Sequence, residues 1–149
     1  MAQYHDITQQ EIEDLLLPQG FKPMSLPDTV ELVYGRRIDK DGHALSLRVY
    51  TGINPSGHSR DVGTDAIRLV LFCRYGDKVS KIDMLKRVHR VKGWRKNLQS
   101  RINDWKTYDL HTCNKCGKLM AVRKSKGSKF YGCVGYPDCK STKPYGEKK

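Results

Sequence analysis

Four of the five cysteines in this 149-residue chain lie in its last 37 residues, in two closely spaced pairs. Two residues separate Cys113 from Cys116, five separate Cys133 from Cys139, and sixteen lie between the pairs. A Cys-x-x-Cys turn brings two sulfurs onto one metal ion, and a second pair completes the tetrahedron that a structural zinc ion prefers. The spacing therefore predicts one structural Zn²⁺ held by four thiolates, with no coordination position left for a substrate.

The alternative for these cysteines, disulfides or free thiols, depends on the cellular compartment. The longest apolar run is Leu69 to Cys73, far shorter than the roughly 20 residues needed to cross a bilayer. The N-terminus also lacks the basic-then-apolar order of a secretory signal. We therefore expect a cytoplasmic protein without a membrane partner, associated with the nucleoid if its source is bacterial. A reducing compartment favours metal ligation over disulfides, and the isolated Cys73 is expected to be a core residue.

Charge is distributed as unevenly as cysteine. The net charge of the chain is +12, from 28 Lys and Arg against 16 Asp and Glu. Residues 1–34 carry a net charge of −5, residues 35–112 carry +9 and residues 113–149 carry +8. A long cationic stretch favours attraction to phosphates, which supplies most of the non-specific affinity of proteins for nucleic acids. The alternative is that the charge serves solubility alone.

The cysteine spacing and the hydrophobic patterns predict two units, a basic domain over residues 1–109 and a zinc module over residues 110–149. In the first unit Thr8 and Glu11 form a capping-box pattern, so we expect a helix that ends before Pro18 or by Gly20. Apolar patterns predict strands over 30–38, 44–51 and 66–75. The segment 79–91 repeats apolar residues every three positions, so strand and irregular structure both remain open.

A second helix is expected beyond Gly93, because four apolar residues there share one helical face: Trp94, Leu98, Ile102 and Trp105. The element order α-β-β-β-α predicts an α+β fold. We expect a small antiparallel sheet with the helices on one face, followed by a C-terminal four-cysteine zinc ribbon.

The tail matches a known pattern in more than its cysteines. The first pair is followed by Gly117, Leu119 and Arg123, and the second pair lies within Phe130-Tyr-Gly-Cys-Val-Gly-Tyr-Pro-Asp-Cys139. This pattern resembles the four-cysteine zinc finger repeated at the C-terminus of bacterial type IA DNA topoisomerases. Asn114 departs from that family, which usually has proline there. The resemblance covers about a quarter of the chain and implies a small zinc ribbon that binds DNA and favours single strands.

Basic and aromatic residues alternate in this tail, as in surfaces that bind single strands. Lys and Arg contact phosphates while flat rings stack on bases, and each stacked base contributes about 1 to 3 kcal/mol. The predicted contacts are Arg123, Lys124, Lys126, Lys129, Phe130, Tyr131 and Tyr136. Alternative roles remain open for three of them: packing against the zinc lobe for Phe130 and Tyr136, and bracing of the fold for Arg123.

A second basic stretch runs from Lys81 to Lys106, with nine bases against two acids and Trp94 among them. It predicts a second phosphate-binding surface, with a solvated amphipathic helix as the alternative. The residues assigned to this surface are Arg87, Arg90, Lys92, Arg95 and Lys96.

These patterns predict a non-enzymatic DNA-binding protein that acts as an accessory factor in DNA metabolism. Single-stranded or partly unpaired DNA is the favoured partner, and RNA remains open. One alternative is a small metal-dependent nuclease or DNA-processing enzyme that uses the long polar loop 52–65, which offers His58, Arg60, Asp61 and Asp65. Another is an adaptor whose acidic N-terminal helix binds a protein partner while the finger holds nucleic acid.

Overall fold

The computed structural model describes residues 7–27, 31–53 and 66–145. Within these ranges the chain forms two α-helices and nine strands, arranged as one six-stranded and one three-stranded antiparallel sheet. The larger sheet and both helices precede the cysteine-rich tail, which contains the smaller sheet. The α+β class that the sequence predicts is confirmed. Neither α-helix in the described ranges has the length and apolar composition of a membrane span.

Helix α1 (Gln9–Leu16) begins at the predicted capping box. The Thr8 hydroxyl accepts the backbone N–H of Glu11 at 3.2 Å, and the Glu11 carboxylate accepts the backbone N–H of Thr8 at 3.1 Å. Two N–H groups at the helix start are thereby satisfied. A 3-10 turn (Leu17–Gln19) follows and ends at Gly20, whose φ of +94° favours glycine. The helix thus ends where the sequence predicts.

The strands of the larger sheet are β1 (Lys22–Met24), β2 (Val33–Arg37), β3 (Leu45–Tyr50), β4 (Ala66–Tyr75), β5 (Lys78–Met84) and β6 (Val88–His89). The first five are adjacent in chain order, and β6 pairs with β4. Leu47 lies opposite Leu71 and Val49 opposite Leu69, so these strands share an apolar face. Both helices contribute side chains to the core on that face. On the opposite face the Arg48 guanidinium lies 4.0 Å from the centroid of the Phe72 ring.

The strand count of the larger sheet differs from the expected three. The segment left open at 79–91 forms most of β5 and all of β6. Its pattern is irregular because the register shifts there: Leu71 pairs with Asp83 while Phe72 pairs with Lys81, so Ile82 is an extra residue. Strand β1 was not predicted, because it is only three residues long and contains proline. Proline is tolerated in this strand because it lies at the edge of the sheet. The observed order is therefore one helix, six strands and a second helix.

Helix α2 (Trp94–Asn103) confirms the second predicted helix. Its residues Trp94, Leu98 and Ile102 are all buried, as one apolar stripe at helical spacing requires. A 3-10 turn (Asp104–Thr107) continues the helix. Lys40 Nζ donates to the carbonyl groups that follow α2, those of Trp105, Lys106 and Tyr108. This lysine therefore ties the segment that leads to the tail to the hairpin between β2 and β3.

The smaller sheet consists of β7 (Met120–Ser125), β8 (Ser128–Cys133) and β9 (Thr142–Pro144), in that order. It packs against the larger sheet, because Leu119, Ala121 and Val134 belong to the same buried apolar cluster as the core of the larger sheet. The Tyr75 hydroxyl accepts the backbone N–H of Leu119 at 2.8 Å. The boundary at residues 109/110 stays a prediction, and the parts on its two sides share one core.

Candidate metal centre and nucleic-acid interface

Four sulfur atoms converge where the loops of the tail meet. The Sγ atoms of Cys113, Cys116, Cys133 and Cys139 all lie within 4.8 Å of one another. Cys116 and Cys133 are 3.3 Å apart, and Cys113 and Cys139 are 3.5 Å apart, whereas a disulfide bond measures roughly 2.0 Å. Sulfurs at the corners of a zinc tetrahedron with Zn–S of about 2.3 Å are about 3.8 Å apart. The cluster therefore fits one tetrahedral zinc ion.

Backbone N–H groups point at these sulfurs, as expected around a metal held by thiolates. The N–H of Lys115 donates to Cys113 Sγ at 3.4 Å, and the N–H of Gly135 donates to Cys133 Sγ at 3.3 Å. Gly117, with a φ of +78°, closes the first turn by donating its N–H to the carbonyl of Cys113. Gly117 thus completes a tight turn directly after the first cysteine pair.

Metal binding requires the thiols to lose their protons. Burial alone would raise the pKa of the Cys113 thiol, but backbone hydrogen bonds from Cys116 and Lys115 lower this pKa to about 6. Burial raises the pKa of the Cys133 thiol to about 12. A bound cation is therefore needed to hold Cys133 as a thiolate near neutral pH, and zinc binding is expected to release protons.

A pocket of about 360 Å³ opens on the tail beside the metal centre. Arg123 lies opposite Phe130 in the pairing of β7 with β8, so their side chains share one face of the hairpin. The Tyr136 ring at the rim is 58% exposed. The complete lining is Arg123, Phe130, Gly132, Cys133, Tyr136, Lys140 and Thr142. The pocket thus combines two aromatic rings with two cationic groups.

Gly132 leaves room for the arginine of this pocket. A Cβ at position 132 would lie 2.8 Å from Arg123 Cδ and 3.5 Å from Phe130 Cε2. Only a residue without a side chain lets Arg123 lie across β8 in this way. Sequence reasoning found Arg123, Phe130 and Tyr136 but missed Gly132 and Lys140. The position of Lys140 directly after the fourth cysteine was the available signal.

Lys78 of the larger sheet holds the loop that carries Tyr136. Its Nζ donates to the carbonyl groups of Val134 and Tyr136, at 2.9 and 3.2 Å. The loop between the third and fourth cysteines is therefore fixed from outside the tail as well as by the metal ligands. No sequence pattern pointed to Lys78, because this contact joins residues 56 and 58 positions apart.

Two residues of the predicted contacts are buried, which corrects their assignment. Tyr131 is only 9% exposed, and its ring stacks on His111 with 4.1 Å between the centroids, so it packs inside the tail and cannot stack on a base. Arg90 is 2% exposed and donates to the carbonyl of Thr51. A guanidinium held in this way braces the fold and cannot reach a phosphate.

The other predicted basic residues are exposed, and one of them already has an ionic partner. Arg95 on α2 forms a salt bridge of 2.9 Å with Glu11 on α1, so part of its charge is neutralised. The exposed set without a salt bridge in the described ranges is Arg87, Lys92, Lys96, Arg123, Lys124, Lys126 and Lys129. The predicted second phosphate-binding surface therefore has less free positive charge at helix α2.

The structure describes only part of the residues on which the nuclease and adaptor alternatives depend. The loop offered for a nuclease lies almost wholly outside the described residues, which stop at Ile53 and resume at Ala66. On the acidic helix α1, Glu11 is paired with Arg95, and Glu13 accepts the hydroxyl of Tyr34 at 2.8 Å. Both contacts occupy acids that an adaptor would need for a protein partner.

Residues 111–148 match the family model described as a topoisomerase DNA binding C4 zinc finger. The tail is a topoisomerase-type C4 zinc finger. The four clustered cysteines are its ligands for one structural Zn²⁺. The zinc finger of this chain accordingly includes the whole pocket around Arg123, Phe130 and Tyr136.

Two curated relatives match the chain over segments of similar length. "DNA topoisomerase I, plasmid" from Xylella fastidiosa (strain 9a5c) is 47% identical over 34 residues, which are 23% of this chain and 5% of that protein. "DNA topoisomerase 1" from Methanocaldococcus jannaschii is 44% identical over 36 residues, which are 24% of this chain and 5% of that protein. The chain therefore spans only a small part of these relatives. No solved structure matches it.

Proposed function

We propose that this protein is a zinc-dependent DNA-binding protein that takes unpaired bases into the pocket of its zinc finger. The observation that carries the proposal is the convergence of Arg123, Phe130 and Tyr136 around one pocket beside the metal centre. The description of the matched family as DNA-binding supports the class of partner. We place the protein with the nucleic acid in the cytoplasm, as an accessory factor in DNA metabolism.

The proposed preference for single strands rests on the shape and chemistry of the pocket. Neighbouring base pairs cover both faces of a base inside a duplex, so an aromatic side chain reaches a base face only where the strand is unpaired. The rings of Phe130 and Tyr136 offer such a stacking surface, and Arg123 and Lys140 supply positive charge for the adjoining phosphates. RNA carries the same phosphates and similar bases, so the choice of DNA rests on the family alone.

We further propose that the chain acts by binding and not by catalysis. Four protein ligands fill the coordination sphere of the zinc ion, which leaves no position for a reacting water or substrate. Incubation with end-labelled single-stranded and duplex DNA and Mg²⁺ or Mn²⁺ is expected to leave the DNA intact. Metal-dependent cleavage that is lost in Asp65→Ala would instead favour the nuclease alternative.

Replacing Tyr136 with alanine tests the pocket. Loss of one stacked base is worth about 1 to 3 kcal/mol, so we expect the affinity for a twelve-nucleotide oligothymidine to fall about 5- to 150-fold. Fluorescence anisotropy with the labelled oligonucleotide at fixed salt measures this change. Leu17→Ala is the matched control, because Leu17 is also an exposed apolar residue, at 42%, and belongs to the N-terminal part of the chain. Equal affinity of Tyr136→Ala and the wild type would contradict the proposal.

A further inference from the structure

A second cavity lies between the larger sheet and the zinc finger. It is a groove of about 550 Å³ that strand β5 and the segment after it line on one side and the hairpin of β7 and β8 on the other. The larger sheet contributes Lys81, Asp83, Met84, Leu85, Lys86 and Arg87, and the finger contributes Val122, Lys124 and Lys129. Five of these nine side chains are cationic and one is acidic. The charge of the lining therefore favours an anionic ligand.

The charge of this groove is available to a ligand. All five cationic side chains belong to exposed residues, and none forms a salt bridge with a described residue. The single acid, Asp83, is already engaged by the protein: one carboxylate oxygen accepts the hydroxyl of Tyr108 and the other the backbone N–H of Met84, both at 2.8 Å. Neutral donors leave the carboxylate its negative charge, so the five cationic side chains of the lining exceed its one acid by four positive charges.

The groove and the aromatic pocket lie on opposite faces of one hairpin. Lys124 pairs with Lys129, and the next pair along the strands is Arg123 with Phe130. Successive residues of a strand point to opposite faces, so the two lysines face the groove while Arg123 and Phe130 face the pocket. Three of the nine side chains that line the groove are apolar, and none is aromatic. Its chemistry suits a phosphate backbone and not a stacked base.

We infer that the groove between β5 and the β7–β8 hairpin is a second nucleic-acid site, which holds the phosphates of the strand whose bases enter the pocket. This inference rests on the proposed function. It gives the larger sheet a direct share in binding through Lys81 and Lys86, which lie about forty residues from the finger lysines in sequence. The docking of the finger through Leu119 and Lys78 keeps the two sides of the groove in place.

The test compares the salt dependence of binding. Each phosphate contact on a single strand contributes about 0.7 to the slope of log affinity against log salt. The double variant Lys81→Gln/Lys86→Gln should therefore lower the slope for the twelve-nucleotide oligothymidine by about 1.4. If variant and wild type bind equally at 1 M salt, this slope change weakens binding about 25-fold at 0.1 M. Lys124→Gln, on the opposite wall, should lower the slope by about 0.7.

The control removes the same charge at the far edge of the sheet. Lys22 and Arg36 lie on β1 and β2 and form no salt bridge with a described residue, whereas the groove borders β5 at the other edge. Lys22→Gln/Arg36→Gln should therefore leave the slope unchanged. Equal slopes for the wild type and Lys81→Gln/Lys86→Gln would contradict phosphate binding in the groove, as would an equal loss of slope in the control pair. In either case weaker binding by Tyr136→Ala would still support base binding in the pocket. A reduced slope in Lys81→Gln/Lys86→Gln together with unchanged affinity of Tyr136→Ala would instead contradict base binding in the pocket.

Discussion

Replacing Cys133 with serine is expected to release the zinc ion, unfold the finger and abolish DNA binding through its pocket. Binding of structural zinc by four-ligand finger peptides is worth about 10 to 16 kcal/mol, and this free energy drives their folding. Cys133 is both a ligand and the last residue of β8, so the loss of its sulfur disrupts the sheet as well as the metal site. Metal analysis should find one zinc ion per wild-type chain and less than one in the variant.

The matched control for this variant is the remaining cysteine. Cys73 is buried in β4 outside the sulfur cluster, and burial raises the pKa of its thiol to about 11, so Cys73→Ala should retain its full zinc content. A Cys133→Ser protein that keeps one zinc ion per chain and an intact finger would contradict the assignment of the metal centre.

The second large effect is expected from Leu119→Ala. Leu119 is fully buried in the apolar cluster that the larger sheet and the finger share. Removing such a side chain leaves a cavity that costs about 2 to 5 kcal/mol of the free energy of unfolding. Because both tryptophans, Trp94 and Trp105, lie outside the finger, their fluorescence reports on the larger unit. We expect their transition in urea to shift to lower denaturant concentration in this variant.

Leu17→Ala again serves as the control for stability. Leu17 is half-exposed and its truncation should change the free energy of unfolding by about 0.5 kcal/mol or less. If the finger of the Leu119→Ala variant loses its zinc and the tryptophan transition nevertheless does not move, the two parts unfold independently. The shared core would then contribute little to stability.

Local patterns were sufficient for most elements of this fold. The capping box at Thr8 and Glu11, the apolar stripe of α2 and the continuous apolar strand β4 all depend on residues close in sequence. The metal ligands were predictable for the same reason, since the spacing within each cysteine pair nearly determines the geometry around the ion. These features need no knowledge of how distant segments pack.

Local patterns did not predict which individual basic and aromatic side chains are exposed. Arg90 and Tyr131 are of residue types that often contact nucleic acids. Tertiary packing nevertheless buries Arg90 against Thr51 and stacks Tyr131 on His111. Sequence shows how much charge a segment carries but not which side chains remain at the surface. The groove that contains Lys81 and Lys124 depends on the docking of two sheets, which no local pattern encodes.

Binding of unpaired bases in the pocket is tested most directly by NMR. The backbone amides of the zinc-loaded, ¹⁵N-labelled protein are followed during titration with a six-nucleotide oligothymidine. We expect the largest shift changes around the pocket, at Arg123, Gly132, Tyr136 and Lys140, with smaller changes along the groove. Amides of β1 at the far edge of the larger sheet should not move. Changes confined to helix α1 or β1, or no changes at saturating oligonucleotide, would contradict the proposal that the zinc finger binds unpaired nucleic acid.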